Sequence, residues 1–208
     1  MKSASITTAT DTELKTVLNV GGNSKAIELP KVYQGWEHVL LDIDPKGNPD
    51  IVCDARQLTT LPASQYDAVY CSHNLEHYHR HDALKVLAGF RHVLKPNGFV
   101  QIRVPDMDEL IQIVAERNLD IEDAVFNGPG GPVLVRDVIY GYGLEIERSG
   151  NDFFAHKTGF TPKSLVKILE SSGFPIVFTA LSNLEIDAIA FTREPDAGSR
   201  ALLELPEP

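Results

Sequence analysis

The sequence predicts an α/β domain built on a doubly wound, mostly parallel sheet of about seven strands, with the last strand antiparallel and helices on both faces. Two observations carry the prediction. Short apolar runs of buried-strand character recur at Thr16–Val20, His38–Asp42, Asp50–Cys53, Tyr66–Cys71 and Phe99–Val104, with helically spaced segments among them. Strands alternating with helices imply a parallel sheet covered on both sides. The early runs also end in polar clusters: Asn19-Val20-Gly21-Gly22, Asp42-Ile43-Asp44, Asp54, and Ser72-His73-Asn74. In such sheets ligands bind beyond the carboxyl ends of the strands, so these clusters are expected along one rim of one crevice.

The remaining elements follow in order. Residues 1–13 are rich in Ser and Thr, lack periodicity and read as a flexible leader. Pro30 interrupts SKAIELPKVYQGWE, so any helix after the first strand is short or irregular. From Asp82 to Leu94, apolar residues at Ala83, Leu87, Phe90 and Leu94 predict a helix that stops at Pro96-Asn97-Gly98. Met107–Arg117 is a second helix. Thr161–Ser172 is the cleanest: Thr161 is the N-cap, Pro162 the first helical residue, and Gly173 follows the end. Ile176–Ala180 and Glu185–Thr192 pair antiparallel across Leu181-Ser182-Asn183. The domain is expected over 14–194, with 118–157 a lid or substrate insertion and 195–208 a flexible tail that makes one short apolar contact through Leu202 and Leu203.

Composition narrows the function. The 208 residues are 43% hydrophobic and 23% charged, ordinary for one soluble domain with a sizeable core. The formal net charge of -10 disfavours a nucleic-acid substrate. The chain has no apolar leader and no run of membrane-spanning length, which predicts a cytoplasmic protein without a membrane partner. Cys53 and Cys71 end apolar runs and read as reduced, buried thiols.

The stretch CSHNLEHYHRHD holds four of the seven histidines, and His73-x-x-Glu76-His77 has the spacing of an inverted zinc-peptidase motif. That chemistry needs both imidazoles on one helical face. Here His73 follows a strand directly, so the turn is not expected to bind metal, and His79 and His81 are expected to face solvent.

From Val17 to Asp106 the order of motifs resembles the class I S-adenosylmethionine-dependent methyltransferases, in particular their small-molecule branch. LNVGG is similar to the first strand and glycine loop, LLDIDP to the second strand with its acidic end, IVCDARQL to the adenine-bracketing motif, and YDAVYCSHNLEHY to the fourth strand and its exit. VLKPNGFVQIRVPD resembles the turn and fifth strand, and HKTGFTPKSLVKILESSGF the final helix. The resemblance implies a Rossmann-like sheet and S-adenosylmethionine as cofactor.

Asn19, Gly21, Gly22, Asp42, Ile43, Asp54, Ala55, Ser72, His73 and Asn74 are thereby the expected cofactor contacts. Their chemistry agrees: a glycine admits close backbone approach, and Asp42, about twenty residues on, suits a ribose diol. Asp54, an acceptor only, suits an exocyclic amino group. The loop departs from the family's D-x-G-x-G-x-G pattern, because Asn19 replaces the acid and Asn23 and Lys25 occupy glycine positions. A nicotinamide dehydrogenase is disfavoured, since the second glycine of its fingerprint is also replaced.

The expected function is methyl transfer to a small polar acceptor, such as a sugar or another hydroxyl or amine compound. The alternatives are a catalytically degenerate nucleoside-binding relative and another nucleotide-dependent Rossmann-type enzyme. His156 is the first candidate base, followed by His77 with Glu76. Asp106 is expected to orient the acceptor and Lys157 to bind an anionic group.

Overall fold

The computed structural model describes residues 14–128 and 130–206; the expected leader over 1–13 lies outside them. In chain order the elements are β1 (Thr16–Val20), β2 (Glu37–Asp42), β3 (Ile51–Val52), β4 (Tyr66–Ser72), α1 (Arg80–Val93), β5 (Leu94–Pro105), α2 (Met107–Arg117), β6 (Ala124–Gly128) and β7 (Gly131–Leu134). Then come α3 (Val135–Tyr140), α4 (Gly143–Ser149), α5 (Pro162–Ser171), β8 (Ile176–Ser182), β9 (Glu185–Phe191) and α6 (Ala197–Leu202).

Seven strands form one sheet in the order β3-β2-β1-β4-β5-β9-β8. The pairs from β3 through to β5 are parallel, and β9 runs antiparallel to both of its neighbours. The order reverses beside β1, so the exits of β1 and β4 open a crevice between them. β6 and β7 make a separate hairpin inside the segment expected as an insertion.

The alternation along each strand decides what covers each face. On one side Leu18, Val20, Val69, Cys71, Val100 and Ile102 pack with Ala83, Leu87 and Phe90 of α1 and with Leu165 and Leu169 of α5. On the other side Val17, Ala68, Tyr70, Phe99 and Phe191 meet Tyr33, Trp36, Leu203 and Leu205. After Pro30 the chain makes a single 3-10 turn, Lys31–Tyr33, in place of a first full helix. Tyr33 stacks within 6.3 Å of Phe99 and donates its buried hydroxyl to Gln101 Oε1 at 2.9 Å.

Local signals explain the boundaries. Thr161 Oγ1 accepts the Ser164 N–H, Pro162 starts α5, and Gly173 takes φ +91° just past its end. Two boundaries differ from expectation. α1 ends at Val93, ahead of Pro96-Asn97-Gly98, and β5 begins at Leu94 and not at Phe99, with that turn bulging between the pairs Tyr66–Leu94 and Ala68–Phe99. The β8–β9 turn is the two-residue Asn183-Leu184, both at positive φ as a tight hairpin requires. Leu184 adopts that uncommon conformation while burying its side chain against Leu110 and Val138. Near the end of the chain α6 is helical, and the apolar contact expected there is made by Leu203 and Leu205.

Phe90 is fully buried between α1 and the sheet. Phe90→Ala is expected to cost about 3–5 kcal/mol and lower the thermal midpoint by roughly 10 °C, measured by circular dichroism. A midpoint within two degrees or so of the parent would show that this face is not the principal core.

Candidate functional site

A cavity of about 300 Å³ opens at the carboxyl ends of β1, β2 and β4. Gly21, Asp42, Ile43, Asp54, His73 and Asn74 line it, six of the ten expected cofactor contacts. At the β1 exit Gly21 takes φ +73° and donates its N–H to Leu41 O at 2.8 Å, so β1 and β2 stay joined up to the bend. A Cβ on Gly21 would lie 2.1 Å from Asn74 Nδ2, so glycine is required here for both conformation and space.

The other four expected contacts are not on the wall. Asn19 is buried below the loop, with Nδ2 3.2 Å from His38 Nε2. A Cβ on Gly22 would lie 2.1 Å from that same Nδ2, so the pair shapes the loop from beneath. Ala55 is buried in the core, and Ser72 ends β4 outside the lining.

The acids are already partly engaged. Asp42 accepts the Asn23 N–H on one oxygen and the Asp44 N–H on the other, each at 2.9 Å. Each oxygen keeps a second lone pair, directed by a carboxylate that these amides hold in place. Asp54 was expected to offer free acceptors. Instead it accepts the Arg56 N–H at 2.9 Å and grips the Arg56 guanidinium, which also reaches Asp82 at 3.4 Å. The Arg56 hydrogen bonds hold the Asp54 carboxyl below the usual range.

His73 leaves β4 at φ +48° and is half-exposed. Its Nε2–H donates to Glu185 Oε2 at 2.8 Å, and Nδ1 is 3.5 Å from Glu76 Oε1. Burial would lower its pKa, but these two carboxylates prevail and lift it to about 9, so the ring is an imidazolium at neutral pH. His77 lines the cavity, with Nδ1 3.1 Å from Ala155 O and Nε2 3.1 Å from His73 O.

His156 does not face the main cavity. Its ring packs behind His77, centroid to centroid at 4.9 Å. Nδ1–H donates to Val138 O at 2.9 Å, and burial lowers its pKa, so the ring is neutral with an Nε2 lone pair facing Glu76. Asp106 does not orient anything in the crevice. It is buried and caps α2, accepting the N–H groups of Asp108 at 2.9 Å and Glu109 at 3.3 Å.

Asp44, read from the sequence as part of the same rim, and Lys157, expected to meet an anionic group, also line the cavity, with Asp152–Phe154 from the segment expected as an insertion. Asn23, Arg56, Tyr78, His79 and Asp82 were not foreseen. The short-range signal for them was Arg56, two residues after Asp54. Nothing in the composition of 118–157 marks Phe153 and Phe154 for the crevice. They arrive because Lys157 N–H and Thr158 N–H both donate to Glu76 O, at 2.8 and 3.1 Å, tying the end of that segment to the turn after β4.

A parallel sheet with its order reversed at β1, a glycine bend and an acid ending the neighbouring strand define a Rossmann-like fold, with a crevice at the place where such folds bind nucleoside cofactors. Comparison with known proteins makes this specific. Residues 9–102 match the family described as "methyltransferase domain". No curated protein matches the chain. Among solved structures, a SAM-dependent methyltransferase from Archaeoglobus fulgidus is similar, at 20% identity over 86% of both chains with a TM-score of 0.53. One from Methanosarcina mazei aligns at 15% identity over 88% of this chain and 94% of that one, with a TM-score of 0.56. The 1,6-didemethyltoxoflavin-N1-methyltransferase of Burkholderia thailandensis, solved with its substrate and S-adenosylhomocysteine, aligns at 16% identity over 88% and 72%, with a TM-score of 0.51.

Residues 9–102 thus carry a methyltransferase-domain match, and the fold is shared with enzymes that use S-adenosylmethionine. The wall suits that molecule. Asp42, on the lining, keeps the lone pairs a ribose diol needs.

Gly21→Ala is expected to weaken binding of S-adenosylhomocysteine at least tenfold, measured by calorimetry, while the far-ultraviolet circular dichroism stays unchanged. Parent-like affinity would mean that the glycine bend is not part of the binding wall.

Proposed function

We infer that the chain methylates a small polar acceptor, a sugar or another hydroxyl or amine compound, in the cytoplasm. One observation carries the reading. The cavity that joins Gly21, Asp42 and Asn74 also reaches Phe153, Phe154 and Lys157, from the end of the 118–157 segment. Cofactor wall and insertion thus share one space, small enough to hold a compact acceptor against the methionine end. The exposed Tyr140 and Tyr142 belong to the same segment and offer flat faces with hydroxyl tips at its surface. The segment acts as a lid that covers the acceptor and sets selectivity.

Within this reading Asp42 holds the ribose hydroxyls, Ile43 packs on the nucleoside, and Asp54 with Arg56 bounds the adenine end. When bound, the cofactor supplies a methyl group on positively charged sulfur, which leaves with the S–CH₃ electron pair as the new bond forms to the acceptor. The protein's share is alignment and the exclusion of water. A hydroxyl acceptor must also lose its proton. His77 is on the wall and is the base in this reading, with a carbonyl oxygen 3.1 Å from each ring nitrogen to meet the protons the ring carries. His156 and Glu76 stand behind it as the next groups in line.

Transfer of a radiolabelled methyl group to a panel of sugars, phenols and amines tests the reading. His77→Ala and His156→Ala are expected to keep cofactor affinity within a few-fold and to lose about 100-fold in turnover, as for removal of a general base. Asp42→Asn is expected to weaken cofactor binding tenfold or more, about 1.4 kcal/mol. Tight cofactor binding without transfer to any acceptor would instead support a nucleoside-binding relative that has lost catalysis.

A further inference from the structure

Glu76 is 1% exposed, and neither of its carboxylate oxygens has a hydrogen-bond partner. Such a carboxylate must be compensated, because the desolvation of an unpaired buried charge is among the costliest features a fold can carry. His73 Nδ1 is 3.5 Å from Glu76 Oε1, a long ion pair to one oxygen, while its Nε2 holds Glu185 at 2.8 Å. His156 Nδ1–H donates to Val138 O, and its Nε2 is 4.0 Å from Glu76 Oε1, too far for a hydrogen bond. Two ligand atoms thus face one another across a gap that no hydrogen bond bridges.

A third ligand atom closes the gap. Glu76, His77 and His156 each bring one ligand atom to a group whose members all lie within 4.8 Å of one another. Ligands at the usual 2.0–2.2 Å from a tetrahedral ion are about 3.4 Å apart, so closure draws these atoms together by up to about 1.4 Å. The outer contacts are also in place. A metal-bound imidazole uses its remaining N–H on a carbonyl or carboxylate, which is what His156 Nδ1 does with Val138 O, and what either His77 nitrogen does with Ala155 O or His73 O.

We propose that Glu76, His77 and His156 form a binding site for one divalent transition-metal ion, of the Zn(II), Co(II) or Mn(II) class, beside the cofactor cavity. Two imidazoles and one carboxylate leave coordination positions open, and His77 is also on the cavity wall, so those positions can reach an oxygen of a molecule held there. This is not the inverted zinc-peptidase arrangement. His73 is outside the set, and the second imidazole comes from His156, at the far end of the insertion, which the Glu76 carbonyl ties into place. The site deepens the methyl-transfer reading by favouring acceptors with an oxygen able to bind a metal, the ion then taking over from the His77 ring the task of acidifying that oxygen, but its existence does not depend on that reading.

Titration of the metal-free full-length protein with Co(II), followed by visible d–d absorption, is expected to give one ion per chain with the intensity of a four- or five-coordinate site. X-ray absorption of the Zn(II)-loaded protein should show two imidazole ligands in the parent and one in His156→Ala. Glu76→Gln and His156→Ala should each weaken binding at least tenfold, while His81→Ala, at an exposed histidine, binds as the parent does. Calorimetry with S-adenosylhomocysteine on the same samples reports the cofactor cavity separately from the ion. A parent that leaves Co(II) with the spectrum of the hydrated ion, or a zinc site without two imidazoles, overturns the proposal whether or not methyl transfer is observed.

Discussion

The parallel pairing of β1 with β2 and β4 is the constraint from which the site follows. With Asn19 opposite Leu40 on one side and Tyr70 on the other, the three strands finish nearly level. Side chains far apart in sequence then emerge along one edge without any direct contact being needed to gather them. Gly21 continues the ladder by one further bond to Leu41 O before it turns away. A slip of one residue in β1 would reverse its faces, sending Leu18 and Val20 out of the core and moving the bend off the crevice.

The second organising contact is the doubly used carbonyl of Glu76. One backbone oxygen receives two N–H groups from 157 and 158, fastening the long insertion to the turn after β4. It brings His156 against His77 and the aromatic pair at 153 and 154 to the cavity mouth. The same residue thus presents its carbonyl to the insertion and its buried carboxylate to the imidazoles, coupling the placement of a loop to the charge in the interior.

How much of this was legible in the sequence depended on the range of the interactions. Short-range patterns served well. Short apolar runs bounded by turn residues located the seven strands of the main sheet, and Thr161-Pro162 and Gly173 located α5, because caps and buried strands are written in neighbouring residues. The glycine bend and the acid ending β2 were legible for the same reason. Asp106 was misassigned because an acid after a strand looks alike whether it meets a ligand or caps the next helix, and only the N–H groups of Asp108 and Glu109 decide. His156 was legible as a candidate base, but its position behind His77 was not, since the carbonyl that orients it, that of Val138 in α3, is eighteen residues away and no local pattern brings the two together. The claim of Arg56 on Asp54 was written two residues away and could have been read.

The sheet face opposite α1 and α5 is sealed by pieces from opposite ends of the described chain. Tyr33 and Trp36 come from before β2, and Leu203 and Leu205 from beyond α6. Closing it therefore needs contacts of very long sequence separation, whose loop entropy is met only after the rest of the sheet exists. During synthesis Phe99 and Phe191 are left without this cover until Leu203 and Leu205 have emerged, which makes the aromatic surface the natural place for chaperone engagement and for aggregation of unfinished chains.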